Sequence, residues 1–243
     1  MRRITMRRMM TVHHLENSRS QRVLWLLEEL ALPYEVKRYK RHPKTLLAPP
    51  ELALVHPLGK SPVITDSNSD SDGNSNTDGN TVVAESGAIV EYLIDVYGAG
   101  RLRPPQGSAD QRRYTYWLHF SEGSLMPPLL LKLIFDKVRA APVPFFIKPV
   151  VRGIADKVTA GYIGPNLNRL LAFMESELRT RPWFAGAEFS AADVQMSYPV
   201  EAAAERAGLD SSYPALTGWL ARIHARPAYI KALVVGGPYS AVP

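Results

Sequence analysis

Apolar positions change period several times along the first hundred residues. Thr11 to Leu15 reads as a short strand, and from Ser18 onward Val23, Leu26, Leu27 and Leu30 recur at the spacing of one helix face. The Leu32-Pro33 pair ends that helix, and Tyr34 to Arg38 alternates as a strand does. The connection HPKTLLAPP leads to a short predicted helix, Glu51 to Val55, with two prolines at its start. Ser61 to Thr65 and Val82 to Ala84 are short strand candidates. Ser86 opens a helix whose buried face is Val90, Leu93, Ile94 and Tyr97. The predicted order is β-α-β-α-β-β-α.

From Ala109 onward the pattern is helical. YTYWLHF is followed by a predicted break at Met126-Pro127-Pro128, then by segments from Leu129 to Arg139 and from Phe145 to Thr159. Leu167, Leu170, Leu171, Met174 and Leu178 mark one face of a further helix. Residues 99–108, with their glycines, prolines and arginines, have the composition of a linker. The expected organisation is an N-terminal extension over 1–10 that we expect to be disordered, a mixed α/β domain over 11–98, the linker 99–108 and an all-α bundle over 109–243.

One stretch resists this pattern. DSNSDSDGNSNTDGNT, residues 66–81, is polar and of low complexity, and it has no apolar area to set against its ordering entropy, so it is expected to form a mobile hairpin tip. It partly mimics a calcium loop with Asn68, Asp70, Asp72 and Gly73. Asn68 replaces the first ligand, however, and Gly79 stands where a bidentate glutamate belongs, so calcium is not expected.

Composition then narrows the chemistry. With 46% apolar residues over 243 positions the chain can bury real cores, and charge or proline interrupts its longest apolar runs well short of a bilayer span. The formal charge of +6 owes much to Arg2, Arg3, Arg7 and Arg8; elsewhere the basic residues are scattered, without the stripe that nucleic-acid binding needs. That Arg-rich start shares features with a mitochondrial presequence but is short, so a cytoplasmic protein is expected. The chain has no cysteine, which excludes disulfides, thiolate metal sites and cysteine nucleophiles. Any thiol chemistry must use a substrate's sulfur.

Four motifs give the pattern its specificity: NSRSQRVLWLLEEL, APPELALVHPLGKSPVI, AESGAIVEYL and WFAGAEFSAADVQMSYP. Together, over about Thr11 to Tyr229, they resemble the cytosolic glutathione transferases of the serine type, in their fungal and bacterial branch. The resemblance implies a thioredoxin-like N-terminal domain followed by an α-helical bundle. It implies an enzyme that adds the glutathione thiolate to hydrophobic electrophiles, as in detoxification. A glutathione peroxidase and a non-catalytic ligand carrier are the alternatives. It further implies a homodimer and no cofactor or metal beyond the co-substrate glutathione.

The resemblance also assigns roles. Ser61-Pro62 stands at the family's cis-proline turn, whose backbone pairs with the cysteinyl part of glutathione; an ordinary trans proline at a strand edge is the bland alternative. Glu85 and Ser86 fall where the family holds the γ-glutamyl end, at a strand-to-helix junction whose free N–H groups suit a carboxylate. A plain N-cap at Ser86 is the bland alternative, and the two readings are compatible. Ser18, four residues before Arg22, matches the activating serine, with Asn17 and Ser20 as competitors for the sulfur. Lys60 is a candidate point charge for a glutathione carboxylate, as Arg41 or His42 would be for the glycyl end. Tyr116, Phe120 and Met126 are candidates for the apolar lining of an electrophile site between the domains, although aromatics at helical spacing are usually core. Ser190 and Asp193 have capping-box spacing and a structural role.

Overall fold

The computed structural model describes residues 9–67, 80–237 and 239. The chain divides into two compact units, one built from the segments up to Arg103 and from Ala225 on, the other from Pro104–His224. Among the described residues no helix is long and apolar enough to cross a membrane.

The first unit holds a four-stranded sheet in the order β2-β1-β3-β4, made of β1 (Met10–Leu15), β2 (Tyr34–Tyr39), β3 (Val63–Asp66) and β4 (Thr81–Ala84). β1 and β2 run parallel, with Met10 opposite Tyr34, while β3 is antiparallel to both of its neighbours. A parallel pair needs a crossover, and α1 (Ser20–Glu29) supplies it. Helix α2 (Ser86–Tyr97) follows β4. The short element expected at Glu51 to Val55 is a 3₁₀ turn over Pro50–Leu54, with Pro49 and Pro50 at its start; Leu52 drops from it into a small cluster with Leu15 and Tyr39. This is the thioredoxin-like arrangement, and an all-helical unit comes after it in the chain.

α1 starts at Ser20, two residues later than the periodicity suggests. Asn17 adopts a positive φ of 48° and Ser18 lies in the turn before the helix. Every residue from Ser20 to Leu27 is buried, so this helix needs packing partners all round. One of them is α9 (Pro227–Gly236), which belongs to the same unit although it follows the helical segment in sequence. Trp25 meets Tyr229 edge-on with ring centroids 5.1 Å apart, and Arg226 forks onto Glu29 at 2.5 and 2.8 Å. The closest approach is at Gly236, where an added Cβ would fall 2.3 Å from Gln21 Oε1 and 3.1 Å from Leu24 Cδ1.

The polar run 66–81 begins inside the fold. Asp66 is a fully buried residue of β3 that accepts hydrogen bonds from the Tyr92 and Tyr97 hydroxyls, and Thr81 pairs with it across the ladder. Ser67 exchanges hydrogen bonds with the Met9 backbone at 2.8 and 2.9 Å. The expected hairpin tip and the calcium-loop mimic otherwise lie outside the described residues, as does the 1–8 part of the expected N-terminal extension.

The helical unit contains α3 (Ala109–Phe120), α4 (Met126–Arg139), α5 (Lys148–Val158), α6 (Gly164–Thr180), α7 (Ala191–Arg206) and α8 (Pro214–His224). The chain does not break at Met126-Pro127-Pro128. A π turn over Ser121–Leu125 joins α3 to α4, and the prolines sit in the first turn of α4, where a missing N–H costs little. A second π turn, Thr159–Ile163, joins α5 to α6. Trp117, Phe184 and Trp219 form the aromatic core of this unit, and the exposed Phe173 stacks on Trp117. Asp193 is fully buried beside them. It accepts from the backbone N–H groups of Phe184 and Ser190 and from the Trp219 indole, each at 3.0 Å, as a buried carboxylate at a helix start requires.

Because Gly236 lies where α9 touches α1, Gly236→Val should cost about 1–3 kcal/mol through overpacking. Urea denaturation followed by circular dichroism reads this as a lower midpoint, and an unchanged midpoint would refute the close-packing argument.

Candidate functional site

Sheet register brings three separated segments to one end. His13, near the C-terminal end of β1, pairs with Val63 at the start of β3, and Val63 pairs with Ala84 at the end of β4. The turn 16–19, the Ser61-Pro62 pair and the Glu85-Ser86 junction are the next residues along those three strands. They therefore gather at the same edge, where α1 and α2 also begin. Two helix N-termini at one edge bring positive potential for an anion, although the Ser20, Gln21 and Arg22 N–H groups of α1 are already taken by Ser18 and Arg19.

The individual parts are well tied. The Ser61-Pro62 peptide bond is cis. Ser61 Oγ donates to the His13 carbonyl at 2.9 Å and accepts from the Leu15 N–H at 3.4 Å, which fixes the turn against β1. Arg22 is buried on α1 and donates through Nη2 to Ser86 Oγ at 3.0 Å, joining the two helix starts. Glu85 is exposed and holds φ 70°, ψ 125°, a backbone conformation that side chains other than glycine's seldom occupy.

Among the three candidates for sulfur contact, Ser20 is fully buried. Its hydroxyl lies 2.7 Å from Ser18 Oγ and 2.8 Å from His14 Nδ1. Ser18 lies one step further out, accepting from the Ser20 N–H at 3.2 Å. The Asn17 carbonyl accepts from Arg41. Arg41 itself braces the turn, donating through its guanidinium to the Glu16, Leu46 and Asn17 carbonyls at 2.8–3.1 Å, whereas His42 is exposed and takes the Thr45 N–H. Lys60 is exposed in the loop before the cis bond. In the helical unit Tyr116 is half exposed, while Phe120 and Met126 are buried, Phe120 among Tyr116, Trp117 and Phe173.

Two histidines of β1 that the strand pattern left unremarked are buried beside these turns. Adjacent residues of β1 point to opposite faces. His13 bonds the Tyr39 hydroxyl at 2.9 Å and Thr65 Oγ1 at 3.0 Å, and His14 meets Ser20. Burial, reinforced by Lys37, lowers the His13 pKa to about 4. Burial and then Arg38 lower that of His14 to about 4, against opposing contributions from the Gly236 carbonyl and Glu16. His14, Glu16, Asn17, Arg38 and Gly236 share an open pocket of about 400 Å³ in the first unit. Arg38 closes the C-terminal end of α9 by donating to the Val235 and Gly236 carbonyls. No group of three or more metal-ligating side chains occurs among the described residues.

Residues 18–96 match the family model for the N-terminal domain of glutathione S-transferase, and 155–227 match that for its C-terminal domain. The chain is 35% identical to Glutathione S-transferase 3 of Schizosaccharomyces pombe over 220 residues, covering 90% of this chain and 85% of that one. A glutathione S-transferase structure from Actinobacillus pleuropneumoniae is 32% identical with a TM-score of 0.74, over 93% of this chain and 92% of that one. A glutathione transferase family member from Pseudomonas fluorescens, solved with two glutathione bound, is 26% identical with a TM-score of 0.72 over 94% of each chain.

The histidines make stability pH-dependent. Their folded pKa lies below the ordinary 6.5, so the unfolded chain binds the extra protons, and stability present above pH 6.5 is lost as pH falls toward 4. Each ring adds up to about 1.4 kcal/mol per pH unit in that window. Thermal melts at pH 7 and pH 5 should show a smaller drop for His13→Gln or His14→Gln than for wild type. An equal drop would contradict the neutral, buried rings.

Proposed function

The chain belongs to the glutathione S-transferase family, and on that footing we propose that it is a glutathione transferase joining the thiolate of glutathione to hydrophobic electrophiles. The observation that carries the reading is the gathering of Ser18, cis Ser61-Pro62 and Glu85-Ser86 at the two helix starts. In this reading Glu85, Ser86 and the α2 N-terminus hold the γ-glutamyl end. The backbone at Ser61-Pro62 meets the cysteinyl part, and exposed Lys60 offers a charge to a carboxylate. Ser18 faces the sulfur, because the Ser20 hydroxyl is turned inward to His14. Tyr116, the half-exposed member of the three aromatic and apolar candidates, is then the foremost contact for the electrophile. A homodimer, a cytoplasmic location and chemistry without a resident metal or redox cofactor complete the proposal. The glutathione bound to the Pseudomonas fluorescens relative supports the choice of co-substrate.

Chlorodinitrobenzene with glutathione tests the activity. Wild type should turn over, and Ser18→Ala should lose about 10²-fold in kcat/KM, the scale of removing one donor from a developing anion. Full activity in Ser18→Ala would reject the role of that hydroxyl, and turnover of cumene hydroperoxide alone would favour a peroxidase.

Glu85 separates stability from function. Glycine accepts a positive φ without penalty, so Glu85→Gly should gain about 1 kcal/mol of stability. It should also weaken glutathione binding several-fold in calorimetry. Unweakened binding would remove Glu85 from the site.

A further inference from the structure

The turn between α4 and α5, within the helical unit, carries an apolar surface and a positive charge that the candidate site does not use. From Lys137 to Arg152 the chain reads KVRAAPVPFFIKPVVR, with four basic residues and no acidic one. Pro142, Pro144 and Pro149 stiffen the stretch. The Pro144 carbonyl accepts from the Ile147 and Lys148 N–H groups at 2.9 and 3.3 Å, which fixes the backbone that bears Phe145 and Phe146. These two rings meet edge-on at 5.5 Å, yet the residues are 81% and 67% exposed. Just beyond them α5 buries Ala155, while Val150 and Ile154, one turn apart, stand in solvent. Single apolar residues scattered on a surface are ordinary, whereas a group gathered within so short a segment marks a contact surface.

The same turn holds cations. Arg139, Lys148 and Arg152 line a pocket of about 130 Å³ together with Pro142, Val143 and Val151. Arg139 is paired with Asp156 at 2.7 Å. The side chains of Lys148 and Arg152 have no partner among the described residues, so two positive charges are free to meet an anion there.

We propose that this turn is a peripheral docking site for an anionic lipid bilayer, in which Phe145 and Phe146 enter the acyl boundary and Lys148 with Arg152 holds lipid phosphate. Lys148 and Arg152 are one helical turn apart, about 6 Å along the axis. With α5 entering by its N-terminal end, both lie within the roughly 5–10 Å that an interfacial segment sinks into the headgroup layer. A second copy of this chain fits less well, because a two-fold contact through the turn sets Lys137, Arg139, Lys148 and Arg152 against themselves. An anionic bilayer answers both halves of the patch: its boundary takes up apolar side chains, and each nearby cation adds attraction to its surface. Docking of this kind needs no glutathione, so it stands apart from the transferase reading.

Co-sedimentation of the full chain with vesicles tests this, one set of phosphatidylcholine alone and one with phosphatidylserine added. Wild type should sediment with the anionic set at low salt and be released as salt is raised. Lys148→Ser combined with Arg152→Ser should weaken that binding by about tenfold or more. Phe145→Ser combined with Phe146→Ser should weaken it by a similar factor. All four side chains are exposed, so thermal melts of both double variants should match wild type. Wild type that stays in the supernatant with anionic vesicles, or that sediments equally with both sets, would overturn the proposal, as would either double variant that sediments like wild type. Concentration-dependent self-association abolished by the phenylalanine substitutions would overturn it too, by giving the patch to a second copy.

Discussion

The burial of α1 on all sides is the constraint from which most of this structure follows. A helix at a protein surface needs one apolar stripe, but the first two turns of α1 have no exposed residue, and three of those buried residues, Ser20, Gln21 and Arg22, are polar. The sheet covers one side and α2 another, and the remaining side is covered by α9, brought back from the far end of the sequence. Arg22 and Ser20 find their partners in Ser86 and His14. Two of the three buried polar side chains are thus tied to the candidate site, while Gln21 packs beside Gly236 with no hydrogen-bond partner for its side chain among the described residues.

Much of the fold was legible because local signals agreed with it. The strands, α1, α2 and the Ser190–Asp193 capping box follow from period and spacing, and the four motifs identified the family. What the pattern missed has local physical causes. Ser18 and Ser20 are equally good helix starters, and Asn17 turns the chain with a positive φ before the helix begins at Ser20. Prolines at 127 and 128 read as a break because their signal is a missing N–H; the π turn ahead of them lets the chain continue as helix. Asp66 looked like part of a polar tip because two tyrosines about 30 residues on, which satisfy its carboxylate, are invisible to a local window.

For the candidate site, local signals reached the position of a residue and not its role. Ser61, Glu85 and Ser86 sit beside turn and helix-start signals, so their place at the sheet edge could be anticipated. His14 could not. A histidine in a strand gives no hint of which face it takes, and its place here is fixed by Ser20 six residues later. The one available clue was the doubling at His13-His14, which in a strand must put one ring on each face of the sheet.

The backbone of Glu85 also bears on the history of the chain. Most positions in a folded protein are held by the fold, so their persistence says little about whether an activity is in use. Position 85 is different, since its φ of 70° makes glycine the easier residue for folding and leaves the acid as the costlier choice. A lineage that no longer needed this chemistry would meet no structural resistance in drifting to glycine there. Under the proposed function, the identity of that one residue becomes a gauge of selection on glutathione binding.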